Sequence, residues 1–226
     1  MMLVKKRFRL AIDVGGTFTD FAVIDDESGI VRFGKVLSTP DDPSVGSIEG
    51  ASQALKRNKI SPQSVGEVVH ATTVATNAVL ERRGANTGLI TTKGFRDTLE
   101  IGRESRYDIY DLDLIVPEPL VSRQNRVEVL ERMDSDGHVR IALDRQSLDV
   151  ALDQLVSSNI KSIAICFLHS HINSEHEKIV ASVIQQRFPE IEISVSSEVA
   201  GEVREFERTS TTCVDAYVKP LVRRYI

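Results

Sequence analysis

The chain has 226 residues, 28 Lys and Arg against 33 Asp and Glu for a formal charge of −5, 41% hydrophobic residues and no Trp. That length allows one substantial domain or two small ones, with an aliphatic core. The mixed, net negative charge argues against a nucleic-acid or anionic-membrane partner. The longest apolar runs are only strand-length, so neither a signal peptide nor a membrane span is expected, and the setting implied is cytoplasmic.

The basic run Lys5-Lys6-Arg7 reads as a solvated edge. The apolar run from Phe8 to Ile12 then leads into Asp13-Val-Gly-Gly-Thr-Phe-Thr-Asp20, and Phe21 to Ile24 is strand-like again. This is a β-hairpin whose tip suits a phosphate. Gly15 and Gly16 permit backbone angles that a Cβ would forbid and let main-chain N–H groups approach an anion. Thr17 and Thr19 add hydroxyl donors. Asp13 and Asp20 would repel a bare phosphate but make sense around a Mg²⁺ held through carboxylates, phosphates and water. A plain glycine turn with Asp20 as a cap is the simpler alternative. The pattern has no G-x-G-x-x-G and no Gly-Lys-Ser/Thr, so it is neither a dinucleotide fingerprint nor a P-loop.

Further along, residues 30–37 form a third strand. Asp42-Pro43 opens a helix with Val45, Ile48, Ala51, Ala54 and Leu55 inward. Residues 65–71 are strand-like. Thr72-Thr73 precede a short helix with Val74, Ala78 and Val79, and Gly84 is a C-cap candidate. In His70-Ala-Thr-Thr-Val-Ala-Thr-Asn77 a strand meets a helix N-terminus, where free N–H groups favour an anion, ordinary Thr capping being the alternative. Residues 87–92 are a strand. Periodicity fails from Lys93 to Arg126, a stretch holding Tyr107, Tyr110, Pro117 and Pro119; so long a loop is often functional. Lys93-Gly-Phe-Arg96 and Arg103 could bind a carboxylate or phosphate, or form surface salt bridges.

Residues 127–132 and 138–142 read as strands around the turn at Asp134–Gly137. Leu148, Ala151, Leu152, Leu155 and Val156 mark a helix. Residues 162–168 form a strand buried on both faces, with Cys166 a buried free thiol. Ser174-Glu-His-Glu177 resembles a capping box opening a helix with Ile179, Val180, Val183 and Ile184 inward. Residues 191–195 form a further strand, so a parallel α/β layer is expected. His169, His171 and His176 read as solvated or capping histidines rather than zinc ligands. Cys213 belongs to no motif, and no Ser–His–Asp or Cys–His spacing stands out. The stripe Val214, Tyr217, Val218, Leu221, Val222, Tyr225 reaches the terminus, with Pro220 expected to kink or restart the helix. Such a stripe suggests a fragment, or a chain that relies on a partner.

The octapeptide resembles the first phosphate motif of the actin/hexokinase/Hsp70 ATPases. In its extended form it resembles the hydantoinase A/5-oxoprolinase family, which includes acetone and acetophenone carboxylase subunits. The run His70 to Asp97, Tyr110-Asp-Leu112 and Arg204 to Thr212 are similar to the same family, so the resemblance spans roughly residues 8–226. It implies an α/β fold: an actin-like ATPase (ribonuclease H-like) lobe with a mixed β-sheet flanked by helices. It implies a hydantoinase/oxoprolinase N-terminal domain over 1–205, with 206–226 starting the following hydantoinase A domain.

The activity implied is ATP- and Mg²⁺-dependent hydrolysis of a cyclic amide, hydantoin or 5-oxoproline. Phosphorylation of the carbonyl or enol oxygen would precede ring opening. Gly15, Gly16, Thr17 and Thr19 would hold phosphates, Asp13 and Asp20 would bind Mg²⁺ and serve catalysis, and Thr72, Thr73 and Asn77 would line the cleft. The partners implied are a small-molecule cyclic amide or ketone, the remaining C-terminal domains and a hydantoinase B-type subunit or domain. No second glycine-rich phosphate loop follows residue 137, so the chain alone is expected to bind ATP weakly or not at all. Alternatives are an ATPase subunit of a ketone carboxylase, a sugar or small-molecule kinase lacking an identifiable sugar-site Asp, and a non-catalytic assembly module.

Overall fold

The computed structural model describes residues 6–39, 42–104, 110–111, 113 and 117–225. Tyr107 and Leu112 of the expected loop lie outside the described residues. The chain divides into two compact units, Met1–Glu81 with Val222–Ile226, and Arg82–Leu221.

In the first unit, β1 (Phe8–Val14), β2 (Phe18–Asp25) and β3 (Val31–Leu37) are antiparallel. β4 (Val65–Thr72) joins β1 in parallel, giving a mixed sheet of order β3-β2-β1-β4. The period-two pattern buries Leu10, Ile12, Val14, Phe21 and Val23 on one face. Helix α1 (Pro43–Arg57) packs there through Ala54 and Leu55, and Tyr225 and Ile60 join the same cluster. The Asp42 carboxylate caps α1 by accepting from the Ser44 N–H at 3.1 Å. The expected inward Val45 and Ile48 are instead exposed. The small residues Gly46, Ser47 and Gly50 face inward in their place. The reason is closeness: a Cβ on Gly50 would lie 2.3 Å from the Phe21 ring. Arg7 is no solvated edge either, since its Nε donates to Asp25 at 2.6 Å and its NH1 pairs with Glu27 at 2.8 Å.

Helix α2 (Val74–Leu80) ends the first unit's main run with Glu81 as its C-cap, so Gly84 is not the cap. Gly84 is small because the Tyr217 ring packs on it; a Cβ would come within 2.1 Å.

The second unit is built on a parallel sheet of β5 (Thr87–Thr92), β6 (Arg126–Val129), β9 (Ser162–Cys166) and β10 (Glu192–Val195), in the order β10-β9-β5-β6. Every residue of β5 and β9 is buried, as in a strand covered on both faces. Leu148, Leu152 and Leu155 of α4 (Arg145–Ser157) and Val180 and Ile184 of α5 (Glu175–Arg187) form the core on one side. Cys213 and Ala216 of α7 (Glu205–Tyr225) meet Leu89, Ala164 and Cys166 on the other. Val156, expected inward on α4, is 40% exposed.

Between these elements lie the four-residue helices α3 (Thr98–Ile101) and α6 (Ser196–Val199) and a hairpin of β7 (Arg132–Met133) with β8 (Val139–Ile141). The strand expected over 127–132 is thus split: the Leu130 N–H turns to Ser147 Oγ at 3.0 Å and Glu131 turns inward. The expected capping box is not formed, because Ser174 makes no side-chain cap and Glu177 is buried elsewhere. Glu177 accepts from the Phe167 N–H at 2.9 Å, Ser196 Oγ at 2.6 Å and the Ser197 N–H at 3.0 Å. Helix α7 continues through Pro220 without restarting. The C-terminal stripe is partly covered, with Tyr217 and Tyr225 buried and Leu221 exposed.

Candidate functional site

The hairpin expected from the octapeptide forms as β1, a tight connection at Gly15-Gly16-Thr17, and β2. Asp13 and Asp20 are direct cross-strand partners, and Asp20 is in turn partnered by Lys35 on β3. Cross-strand partners share a face, so both carboxylates stand on the side of the sheet away from α1. Both are exposed. Lys35 Nζ lies 3.1 Å from Asp20 Oδ1 and 4.8 Å from the Phe18 ring centroid. Asp13 has no ion-pair or hydrogen-bond partner among the described residues.

At the tip, the Gly15 N–H donates to the Phe18 carbonyl at 3.0 Å and closes the turn. Among the described residues the Gly16 and Thr17 N–H groups donate to nothing, which leaves adjacent main-chain donors of the kind that cradle an anion. Neither glycine has a positive φ; what they supply is room. A Cβ on Gly15 would lie 3.0 Å from the Phe18 carbonyl oxygen, and one on Gly16 3.0 Å from Asn77 Nδ2. Thr17 is exposed, whereas Thr19 is fully buried behind the loop with its hydroxyl 3.1 Å from Ser38 Oγ.

Ser38 was not singled out from sequence. It donates its hydroxyl to the Gly15 carbonyl at 2.8 Å and its N–H to the Thr17 carbonyl at 3.0 Å, so it fastens the tip to the end of β3. No local pattern marks it, because the contacts join residues over twenty positions apart.

The segment from His70 reaches the same tip. The Thr73 N–H donates to the Val14 carbonyl at 3.1 Å, and Thr72 Oγ1 donates to that carbonyl at 3.3 Å while accepting from the Val74 N–H at 3.1 Å. Asn77 Nδ2 donates to Thr73 Oγ1 at 3.2 Å and stands over Gly16. The parallel register of β1 and β4 is what joins the two motifs: Asp13 pairs with Ala71 and Val14 with Thr72. His70 itself points to the α1 side and pairs through Nε2 with the Tyr225 hydroxyl.

The second unit disposes of the remaining candidates. His176, expected to be solvated or capping, is buried, with Nδ1 2.7 Å from the buried Glu131 carboxylate. His171 Nδ1 accepts from Arg208 at 2.8 Å, and burial, with the Arg208 charge second, holds its pKa below the usual histidine range. Among the described residues these histidines are not gathered with other ligands into a cation site. The described residues close enough to share one are Asp134, Asp136 and His138, in a turn where Asp134 already accepts from two backbone N–H groups. Arg103 is engaged by Glu207 at 2.6 Å. Both cysteines are free and buried, as expected for Cys166.

A mixed sheet carrying a glycine hairpin with paired aspartates in one unit, and a parallel sheet between helices in the other, are the α/β elements of an actin-like ATPase lobe. The family model for the hydantoinase/oxoprolinase N-terminal region matches residues 9–188. The chain belongs to that family. It is 34% identical to the caprolactamase alpha subunit of Pseudomonas jessenii over 98% of this chain and 33% of that one. It is 32% identical to the 5-oxoprolinase of Saccharomyces cerevisiae over 98% of this chain and 20% of that one. Among solved structures, the ATP-dependent caprolactamase of P. jessenii superposes with a TM-score of 0.85 at 34% identity, covering 96% of this chain. Nucleotide-free acetone carboxylase also gives 0.85, at 28% identity. The chain spans about a third or less of these relatives' length.

Proposed function

We propose that this chain supplies the first phosphate-binding half of an ATP site in an enzyme that activates a cyclic amide. The observation that carries the reading is the hairpin tip: two exposed aspartates face each other beside free Gly16 and Thr17 N–H groups. Facing carboxylates are unfavourable on their own, and the unpartnered Asp13 next to a tip where a Cβ on either glycine would be crowded fits a Mg²⁺–phosphate group. When bound, Mg²⁺·ATP would supply the phosphoryl group that turns an amide oxygen into part of a leaving group. Gly16 and Thr17 would hold phosphate through their N–H groups and the Thr17 hydroxyl. Asp13 and Asp20 would hold the metal directly or through water. Thr72, Thr73 and Asn77 would shape the wall of the cleft, and Gly15 and Thr19 would set the loop from behind.

The 34% identity to a caprolactamase subunit and the likeness to 5-oxoprolinases support an amide substrate. The acetone carboxylase likeness supports the second reading, an ATPase subunit acting on a ketone. On the proposed boundary, residues 1–205 are the N-terminal domain and 206–226 begin the next. Further domains, a hydantoinase B-type subunit and a cytoplasmic setting belong to the same proposal; no helix among the described residues is long and apolar enough to cross a membrane.

The test is ATP hydrolysis by the full-length protein with its partner subunit, in the presence of hydantoin, 5-oxoproline, caprolactam and acetone. Stimulation by a lactam and its loss in Asp13→Ala are expected. Stimulation by the ketone alone would favour the carboxylase reading, and unchanged ATPase activity in Asp13→Ala would favour an assembly module. Residues 1–226 alone are expected to bind ATP weakly, so submicromolar binding by calorimetry would overturn the half-site assignment.

A further inference from the structure

We infer a second anion site in the Arg82–Leu221 unit, for the phosphate or carboxylate group of a small molecule, formed by Lys93, Arg132 and Arg140. These cations line one open groove of about 670 Å³ with Leu130, Glu131 and Ile141. None of them makes an ion pair with a carboxylate among the described residues, in a chain whose net charge is −5. Unpaired cations gathered in one concavity raise the local concentration of anions.

The backbone gathers them. Lys93 follows the last residue of β5, and its N–H is fixed to the Val129 carbonyl at 2.9 Å, so the groove opens at the carboxyl ends of the neighbouring parallel strands β5 and β6. Ligands of open parallel sheets bind at that end. On the β7–β8 hairpin, Arg132 pairs with Ile141 but Met133 pairs with Val139, so Arg140 is an extra, unpaired residue. Strict alternation would send Arg140 and Ile141 to opposite sides; the bulge lets both line the groove. The Arg132 guanidinium is steadied over the Phe95 ring at 4.9 Å from its centroid. The one acid, Glu131, is buried in the floor with Oε1 taken by Thr92 and Oε2 by His176. Asp134, whose carboxyl is held below the usual range chiefly by the His138 N–H, with the Arg140 charge a minor contribution, is not part of the lining.

This site does not depend on the nucleotide reading. Calorimetric titration of the 226-residue chain with inorganic phosphate, and separately with succinate, tests it. Binding should weaken by about tenfold in each of Lys93→Ala and Arg140→Ala, with thermal midpoints unchanged, and should persist in Lys178→Ala, which removes the same charge elsewhere. Tighter phosphate than succinate would identify a phosphoester ligand, and the reverse a carboxylate. No binding of either anion by the parent chain, or equal loss in Lys178→Ala, would overturn the site. Binding that survives Lys93→Ala and Arg140→Ala but disappears in Thr17→Ala would also overturn it, while leaving the hairpin assignment standing.

Discussion

Asp13 and Asp20 stand directly opposite one another on β1 and β2, and among the described residues only Asp20 has a cationic neighbour, Lys35 at 3.1 Å. A cation between them would relieve the repulsion. Asp13→Asn is therefore expected to leave the unliganded chain as stable or more stable, by up to about 1 kcal/mol. The same change should abolish any rise in thermal midpoint that Mg²⁺·ATP gives the full-length protein. Loss of stability without ligand would show that Asp13 has a structural partner instead.

Gly50 controls how closely α1 approaches the strand that carries Asp20. With a Cβ 2.3 Å from the Phe21 ring, Gly50→Ala should destabilise the chain by about 1–3 kcal/mol through overpacking, despite the better helix propensity of Ala. Urea denaturation measures it. Phe21→Leu in the same chain should recover part of the loss, since the ring is what the new methyl meets.

Acid should unfold the first unit through Asp25. Its carboxyl is held well below the usual range, chiefly by the Arg7 hydrogen bond, and it also accepts from Ser28 Oγ at 2.9 Å. A depressed folded-state pKa contributes stability above the unfolded value of about 3.9, and that stability is lost as pH falls toward the folded value. The thermal midpoint should therefore drop below about pH 4, with a shallower slope in Asp25→Asn. Identical slopes would remove Asp25 from the account.

Neither thiol should react in the native chain. Burial pushes both Cys166 and Cys213 above the ordinary thiol pKa, and thiolate is the reactive form. Dithionitrobenzoate at pH 8 should label neither residue until denaturant is added, and then both. Prompt native-state labelling would mean that the α7 side of the second core opens readily.

The sequence by itself determined the elements and the hairpin motif. Alternation in residues 8–25, the Asp42-Pro43 start and the near-continuous apolar run at 162–168 are local consequences of backbone geometry and burial, so they are legible without a fold. The paired aspartates and glycines were legible for the same reason, being eight consecutive residues. The tertiary structure decided what meets them. The β1–β4 register brings Thr72, Thr73 and Asn77 to the tip, and β3 delivers Ser38 and Lys35. It also decided which polar residues go inside: His176 and Glu131, 45 positions apart, are buried because each supplies the other's hydrogen bond. Periodicity reads hydrophobicity one residue at a time, whereas close approach and buried polar pairing depend on two residues at once. The inward face of α1, Gly84 and Glu177 were misread for that reason, and each is explained by a partner remote in sequence.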